Sequence, residues 1–176
     1  MSAARIGQSS RATRETQIDV TWKIDGTGIA DIDTGIPFFD HMLSALAMHG
    51  RFDLVVKANG DLEVSQHHTV EDVGLVMGQA FADAVGDKAG IVRYGHCLLP
   101  MDEALVRVVL DLSGRAFVDM NVDWVPNLGP VGFDYRLTSE FLWGLARAAH
   151  LTIHADSVKG GNNHHMCEAT FKGLAR

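Results

Sequence analysis

The sequence predicts an α+β fold built from two equivalent ββαββα-like halves. Each half lays helices on an antiparallel or mixed sheet, and a pseudo-twofold axis relates them. Three observations lead there. Short segments with alternating apolar residues stand beside longer ones with apolar residues at helical spacing. The order of these segments returns in the second part of the chain. A cluster, His67-His68-Thr69-Val70-Glu71, also recurs near the end of the chain as His164-His165-Met166-Cys167-Glu168. The expected division is 1–90 and 91–176, one cluster in each half, the two together making one unit. Two copies are a duplication and not a repeat array, which needs three or more.

In the first half, residues 17–24 (QIDVTWKI) put Ile18, Val20, Trp22 and Ile24 on one face, the period of a half-buried strand. Asp25-Gly26 is a tight-turn dipeptide, so 27–33 is expected to pair antiparallel with that strand. Pro37 suits the first turn of a helix reaching about His49, with Phe39, Met42, Leu43 and Leu46 as its inner stripe and Gly50 as its stop. A second hairpin is expected from 52–58 and 62–66 about Asn59-Gly60. A helix from about His68 to Val85 follows, carrying Val73, Met77, Ala80, Phe81 and Ala84 on one side. After Gly90 come strands at 104–112 and 115–122 about Ser113-Gly114, then a Pro/Gly loop at 124–132 and a helix at about 137–149. A strand at 151–157, a turn at Gly160-Gly161 and a helix opening near His164 complete the second half.

The 176 residues are 47% hydrophobic and 21% charged. That is the balance of a compact soluble domain. A net charge of −7 argues against nucleic acid as a partner, since that ligand selects basic surfaces. No apolar run approaches the roughly 18 residues that span a bilayer, so no membrane association is expected. Residues 1–14 are polar and lack the apolar stretch of a signal peptide. The two cysteines, Cys97 and Cys167, suit a reducing cytosol better than a disulfide framework, and a cytoplasmic location is expected. Nine histidines are the one compositional oddity.

On a helix, residues four apart lie about 40° from each other, whereas neighbours differ by about 100°. His67 and Glu71 can therefore grip one ion while His68 points elsewhere, and His164, Glu168 and His165 repeat that arrangement. A motif of this kind bridges two metal sites instead of closing one. Imidazole with carboxylate suits Mn, Fe, Co, Ni or Zn, and the absence of thiolate ligands speaks against a structural zinc cage. A lone pair of histidines at a helix start is usually solvated surface; two copies at matching places in a duplicated fold make a metal centre the better reading. Cys167 reads as core filler. His41, in the helix that precedes the first cluster, can complete a site, and His49 lies two turns on, near the same face. Aligning the halves sets Glu140 opposite His41, where a carboxylate is a competent ligand. Arg93 and Arg115 stand at element ends where a guanidinium can fork onto phosphate, and Lys172 shares a helix face with His164 and Glu168. His96, His150 and His154 carry no spacing signal and read as core or surface.

Six segments, RETQI (14–18), DTGIPFFDHML (33–43), HHTVED (67–72), PMDEAL (100–105), DLSGR (111–115) and HHMCEATFK (164–172), together resemble the imidazoleglycerol-phosphate dehydratase family of histidine biosynthesis. The resemblance runs in order over nearly the whole chain. It implies a fold of two similar halves, two Mn²⁺ per subunit, and a homo-oligomer of 24 subunits built from trimers with active sites shared between neighbours. Carried over by position, it implies metal ligation by His41, His67, His68, Glu71, His164, His165 and Glu168. It also implies substrate contacts from Glu15, His49, Arg93, Arg115 and Lys172. The candidate catalytic residues are Glu15, His41, His67, Glu71 and Glu168. Two departures stand out. The family has a histidine where this chain has Glu140, which is counted here as a metal ligand. The family pattern also runs on past the TFK motif into a Ser/Thr-Lys-Gly segment that helps hold phosphate; within these 176 residues that task is expected of Arg93, Arg115 and Lys172.

The implied reaction takes water from D-erythro-imidazole-glycerol phosphate to give imidazole-acetol phosphate. The proton to be lost sits on a carbon with no adjacent carbonyl, so a metal-stabilised imidazolate is the expected source of electron push. Two other readings stay open: a dinuclear phosphoester hydrolase, and a catalytically impaired scaffold assembled by metal. Ferritin-type storage is disfavoured, because that chemistry uses Glu-x-x-His on long bundle helices.

Overall fold

The computed structural model describes residues 4–126 and 132–176. Its first half runs β1 (Ile6–Ala12), β2 (Thr16–Lys23), β3 (Ala30–Asp33), α1 (Pro37–Gly50), β4 (Asp53–Gly60) and α2 (Gln66–Val85). The second repeats that order as β5 (Tyr94–Met101), β6 (Ala104–Asp111), β7 (Phe117–Asn121), α3 (Leu137–Ala149), β8 (Thr152–Lys159) and α4 (Asn163–Ala175). The sheets have matching strand orders, β1-β2-β4-β3 and β5-β6-β8-β7. The α+β class and the duplication are as the sequence predicts.

The alternation at β2 buries Ile18, Val20 and Trp22 on its inner face, as its period requires. The helices lie between the sheets, and one core joins Val20, Leu54, Phe39 and Met77 of the first half to Phe141, Ile153 and Phe171 of the second. α1 packs on α4 and α2 on α3, so each helix pair draws one member from each half. At the α2–α3 crossing, Gly74, Gly78 and Gly144 let the backbones touch. A Cβ on Gly144 would stand 2.5 Å from the Glu71 carbonyl oxygen, and one on Gly74 would overlap that of Phe141.

Several strand pairings differ from the expected ones. Residues 27–33 do not form a hairpin with β2; β3 pairs parallel with β4, and β2 pairs antiparallel with β1 and β4. A parallel pair needs a crossover, and α1 supplies it. Gly26 serves close approach instead of a hairpin turn, since a Cβ there would overlap the Asp53 amide nitrogen. The segment 62–66 is no strand: the Asp61 carbonyl accepts from Val64 N and Ser65 N in a turn that leads into α2. Residues 115–122 likewise do not pair back onto β6. The shorter β7 runs parallel to β8, with α3 as crossover. β1 and β5, both edge strands, have no counterpart among the expected elements. Of the expected loop at 124–132, residues 127–131 lie outside the described residues.

Candidate functional site

Both HHxxE clusters open a helix in the same way. Ser65 caps α2, its Oγ accepting from His67 N at 3.1 Å; Asn162 caps α4, its Oδ1 accepting from His164 N at 2.9 Å and His165 N at 3.4 Å. Such caps satisfy amides that the first helical turn leaves without partners. The rings of His67 and His68 meet at 84° and those of His164 and His165 at 80°, so each pair points two ways, as helical spacing requires. The first histidine of each pair folds back onto its glutamate: His67 Nε2 lies 3.5 Å from Glu71 Oε2, and His164 Nε2 lies 3.0 Å from Glu168 Oε2.

The strongest convergence is on α4. His41 of α1 brings Nε2 to 3.4 Å from Glu168 Oε2, and donor atoms of His41, His164 and Glu168 all lie within 4.8 Å of one another. Glu168 is only 6% exposed. Burial alone would raise its pKa, but the hydrogen bond and charge of Lys172, with His164 and His41 beside it, hold it below the usual carboxylate range. The carboxylate thus divides its oxygens: Oε1 meets Lys172 Nζ at 2.6 Å and Oε2 faces the histidines. His49 lies in the same neighbourhood, where burial first and then the Lys172 charge lower its pKa. Cys167, between the ligands in sequence, is fully buried with its Sγ 3.4 Å from Thr138 Oγ1. Desolvation pushes its thiol up to about 12, the state of a core residue and not a ligand.

The α2 motif is held differently. His68 Nδ1 lies 3.0 Å from Asp61 Oδ2, and that hydrogen bond, with the nearby Glu15 charge adding to it, raises the His68 pKa. Asp61 had no spacing signal, because its partner lies seven residues away across a turn. His165 Nδ1 sits 3.1 Å from both carboxylate oxygens of Glu103, with Asp102 alongside, which makes a second group of three donors. Glu103 and His165 are 62 residues apart, so only the tertiary fold pairs them.

Glu140 stands in the first turn of α3. Counted back from the left-handed caps Arg51 and His150, His41 and Glu140 stand at the same remove, so the alignment of the halves holds at this pair. Among the described residues, however, Glu140 joins no convergent group of three donors. Glu71 instead has Arg147 Nη1 at 3.4 Å.

Arg93 and Arg115 gather elsewhere. Arg93 forks onto Asp111 at 2.7 and 3.1 Å and stacks over Tyr94, and the Arg115 charge also acts on Asp111. Arg93 lines an open cavity of about 620 Å³ with Lys88, Ser113, Gly114 and His150. Asp111 ends the strand β6 that Glu103 precedes. At about 3.4 Å per residue, the arginines are therefore roughly 24 Å from the His165 end of the sheet.

Against known proteins, the family model for imidazoleglycerol-phosphate dehydratase matches residues 34–176. The imidazoleglycerol-phosphate dehydratase of Herminiimonas arsenicoxydans is 50% identical over 177 residues, covering 100% of this chain and 88% of its own length. That of Roseobacter denitrificans is 54% identical over 167 residues, covering 95% and 85%. The crystal structure of the Staphylococcus aureus imidazoleglycerol-phosphate dehydratase superposes with a TM-score of 0.85 at 37% identity, covering 97% of this chain and 94% of that one. The Pyrococcus furiosus structure, a complex with (S)-C348, gives 0.81 at 38% identity, covering 94% and 88%. Two matching half-sheets, a motif that opens α2 and α4 alike, and likeness along the whole chain agree: this chain belongs to the imidazoleglycerol-phosphate dehydratase family, lyases that dehydrate imidazoleglycerol phosphate in histidine biosynthesis.

Proposed function

We propose that this chain converts D-erythro-imidazole-glycerol phosphate to imidazole-acetol phosphate at a centre of two Mn²⁺ per subunit, in the cytoplasm, and that neighbouring copies in a 24-subunit assembly of trimers complete each site. The observation that carries the metal reading is the approach of His41, His164 and Glu168 to within 4.8 Å of one another. The donors suit the ion: imidazole and carboxylate without thiolate match Mn²⁺, and three protein ligands leave positions for substrate. His67, Glu71 and His68 from α2, His165 from α4 and Glu140 from α3 are the further ligands assigned to the pair. A divalent ion held there supplies Lewis acidity to a coordinated imidazole nitrogen and a fixed point for a hydroxyl.

The residues of the chain do the rest. Loss of water breaks a C–H bond and the neighbouring C–OH bond; the resulting enol becomes the ketone. Glu15, exposed at the turn between β1 and β2 and close enough for its charge to act on His68, is the group that takes the C–H proton. Lys172 holds Glu168 ionised, so this ligand stays an anion although buried. His49 lies beside that pair, lowered in pKa and so neutral near pH 7, able to hydrogen-bond the glycerol chain. Arg93 and Arg115 hold the phosphate, with Lys172 as the third cation assigned to it, and binding of that remote group orients the reacting end. The roughly 24 Å between the arginines and His165 within one chain supports a site completed by a second copy.

The test is to strip the protein with chelator, add back Mn²⁺ and follow formation of the acetol phosphate. Metal-dependent turnover is expected; two bound ions without turnover would overturn the dehydratase reading. H67A should lose metal, while R115A should keep its metal and bind substrate more weakly. Metal loss in R115A would overturn the phosphate assignment.

A further inference from the structure

The two halves hold the second histidine of their motifs by carboxylates from different places. Strand register fixes the comparison. Gln17 of β2 pairs with Asn59, and in the other sheet Leu105 pairs with Lys159 beyond an irregularity at Leu105/Val106. Thr16 therefore corresponds to Ala104, and the turn glutamates just before them, Glu15 and Glu103, are counterparts. Past the irregularity Gly60 corresponds to Gly160, and their neighbours Asp61 and Gly161 correspond to each other. Packing agrees with this alignment: a Cβ on Gly60 would strike Thr69 Oγ1, and one on Gly160 would strike Met166 Sδ, residues that each follow their HH pair by one.

In the first half, Asp61 is the residue against His68 Nδ1. It is anchored there by its own backbone, its N–H donating to the Glu15 carbonyl at 3.0 Å. The Glu15 side chain makes no hydrogen bond or ion pair among the described residues. In the second half the position of Asp61 holds glycine, and a Cβ on Gly161 would point to within 3.6 Å of Glu103 Cγ. Glu103, the counterpart of Glu15, fills the space an aspartate there would take, and its carboxylate meets His165 Nδ1. A carboxylate on Nδ1 fixes the tautomer and ring angle of an imidazole and leaves Nε2 for a metal.

We infer that Asp61 and Glu103 are positioning residues that hold the Nδ1–H tautomers of His68 and His165 and aim each Nε2 at a metal, and that Asp61, by taking this duty in its half, leaves Glu15 free to face substrate. The inference rests on the metal reading proposed above. It makes the duplicated site unequal: one half keeps its turn carboxylate, Glu15, for the substrate, and the other has committed its own, Glu103, to holding a histidine.

The test is Mn²⁺ binding to the metal-stripped full chain, read from the electron paramagnetic resonance signal of free Mn²⁺, in wild type, D61A, D61N, E103A, E103Q and E15A. D61A and E103A should each weaken one class of ion about 10–100-fold. D61N and E103Q should recover most of the loss, because an amide oxygen still accepts from Nδ1–H. E15A should leave both affinities unchanged although Glu15 and Glu103 occupy equivalent turns. Equal effects of E15A and E103A would overturn the inference, as would amides no better than alanine. If an alanine variant fails to fold, the amide variant and E15A carry the comparison. Wild type without Mn²⁺ affinity would overturn the metal reading and this inference together. The expected pattern without dehydration would sink the proposed reaction and leave the inference standing.

Discussion

Asp53 shows how much of a connection one side chain can carry. Its Oδ1 accepts from Thr27 N at 2.7 Å, Ile29 N at 3.2 Å and Thr27 Oγ1 at 3.1 Å, while Oδ2 meets Lys23 Nζ at 3.1 Å. The Thr27 amide first, then Lys23, hold its carboxyl well below the usual carboxylate range. A carboxylate with a lowered folded pKa stabilises above its unfolded value, about 3.9, and that contribution is lost as pH falls through the folded value. D53N is therefore expected to melt below wild type at pH 7, with the gap closing as pH drops below about 4. Melting temperature against pH checks this, and a gap independent of pH would show that geometry and not charge holds the β2–β3 connection. The same residue explains why the sequence misleads here: Asp25-Gly26 has the composition of a hairpin turn, but its glycine is required by the approach of Asp53, which belongs to another strand.

At the scale of elements, the α2–α3 crossing couples packing to the site, because Gly144 lies against the carbonyl of Glu71. G144A forces a methyl into backbone only 2.5 Å away. Overpacking of this sort costs about 1–3 kcal/mol. The expected result is a lower denaturation midpoint with an unchanged slope, together with weaker Mn²⁺ binding, since the helices must part where Glu71 sits. A stable variant with full metal affinity would show that the crossing can widen without disturbing the motif. What was legible in the sequence follows the same division between local and distant. The HHxxE clusters were readable because their geometry is set by helical spacing between near neighbours. β1 was not, since it is an edge strand in which only Gly7 is buried, laid against α2 so closely that a Cβ would overlap the Ala80 carbonyl. β5 has large apolar residues on both faces, Tyr94 and Leu98 exposed and Leu99 and Met101 against the core, and Pro100 within it, so the alternation is blurred as on an edge strand. Without those two strands the β1–β2 and β5–β6 turns cannot be matched, and so the kinship of Glu15 and Glu103 stays hidden.

For the whole molecule, the separation of its chemistry is the main constraint. The metal-type donors open α2 and α4, whereas Arg93 and Arg115 lie at the far end of the second sheet. Strand register puts Tyr94, Leu98 and Phe117 on the outer face of that sheet, and all three are exposed. An apolar surface of this kind is suited to contact with another protein surface, and a second copy is the occupant put to the test. If phosphate is held by arginines of one copy and the reacting end by donors of another, two inactive variants can repair each other. H164A loses the ligand, R93A loses the phosphate contact, and each alone is expected to be nearly inactive. In a randomly reassembled equal mixture, about a quarter of interchain sites pair an intact donor set with an intact arginine, so about a quarter of wild-type activity should return. Sites built within single chains would return none, because every chain carries one lesion. Dissociating the variants, mixing them before Mn²⁺ is restored and assaying turnover against unmixed controls decides between the two. Recovery only when the chains are mixed before reassembly would tie activity to shared sites and not to exchange of metal.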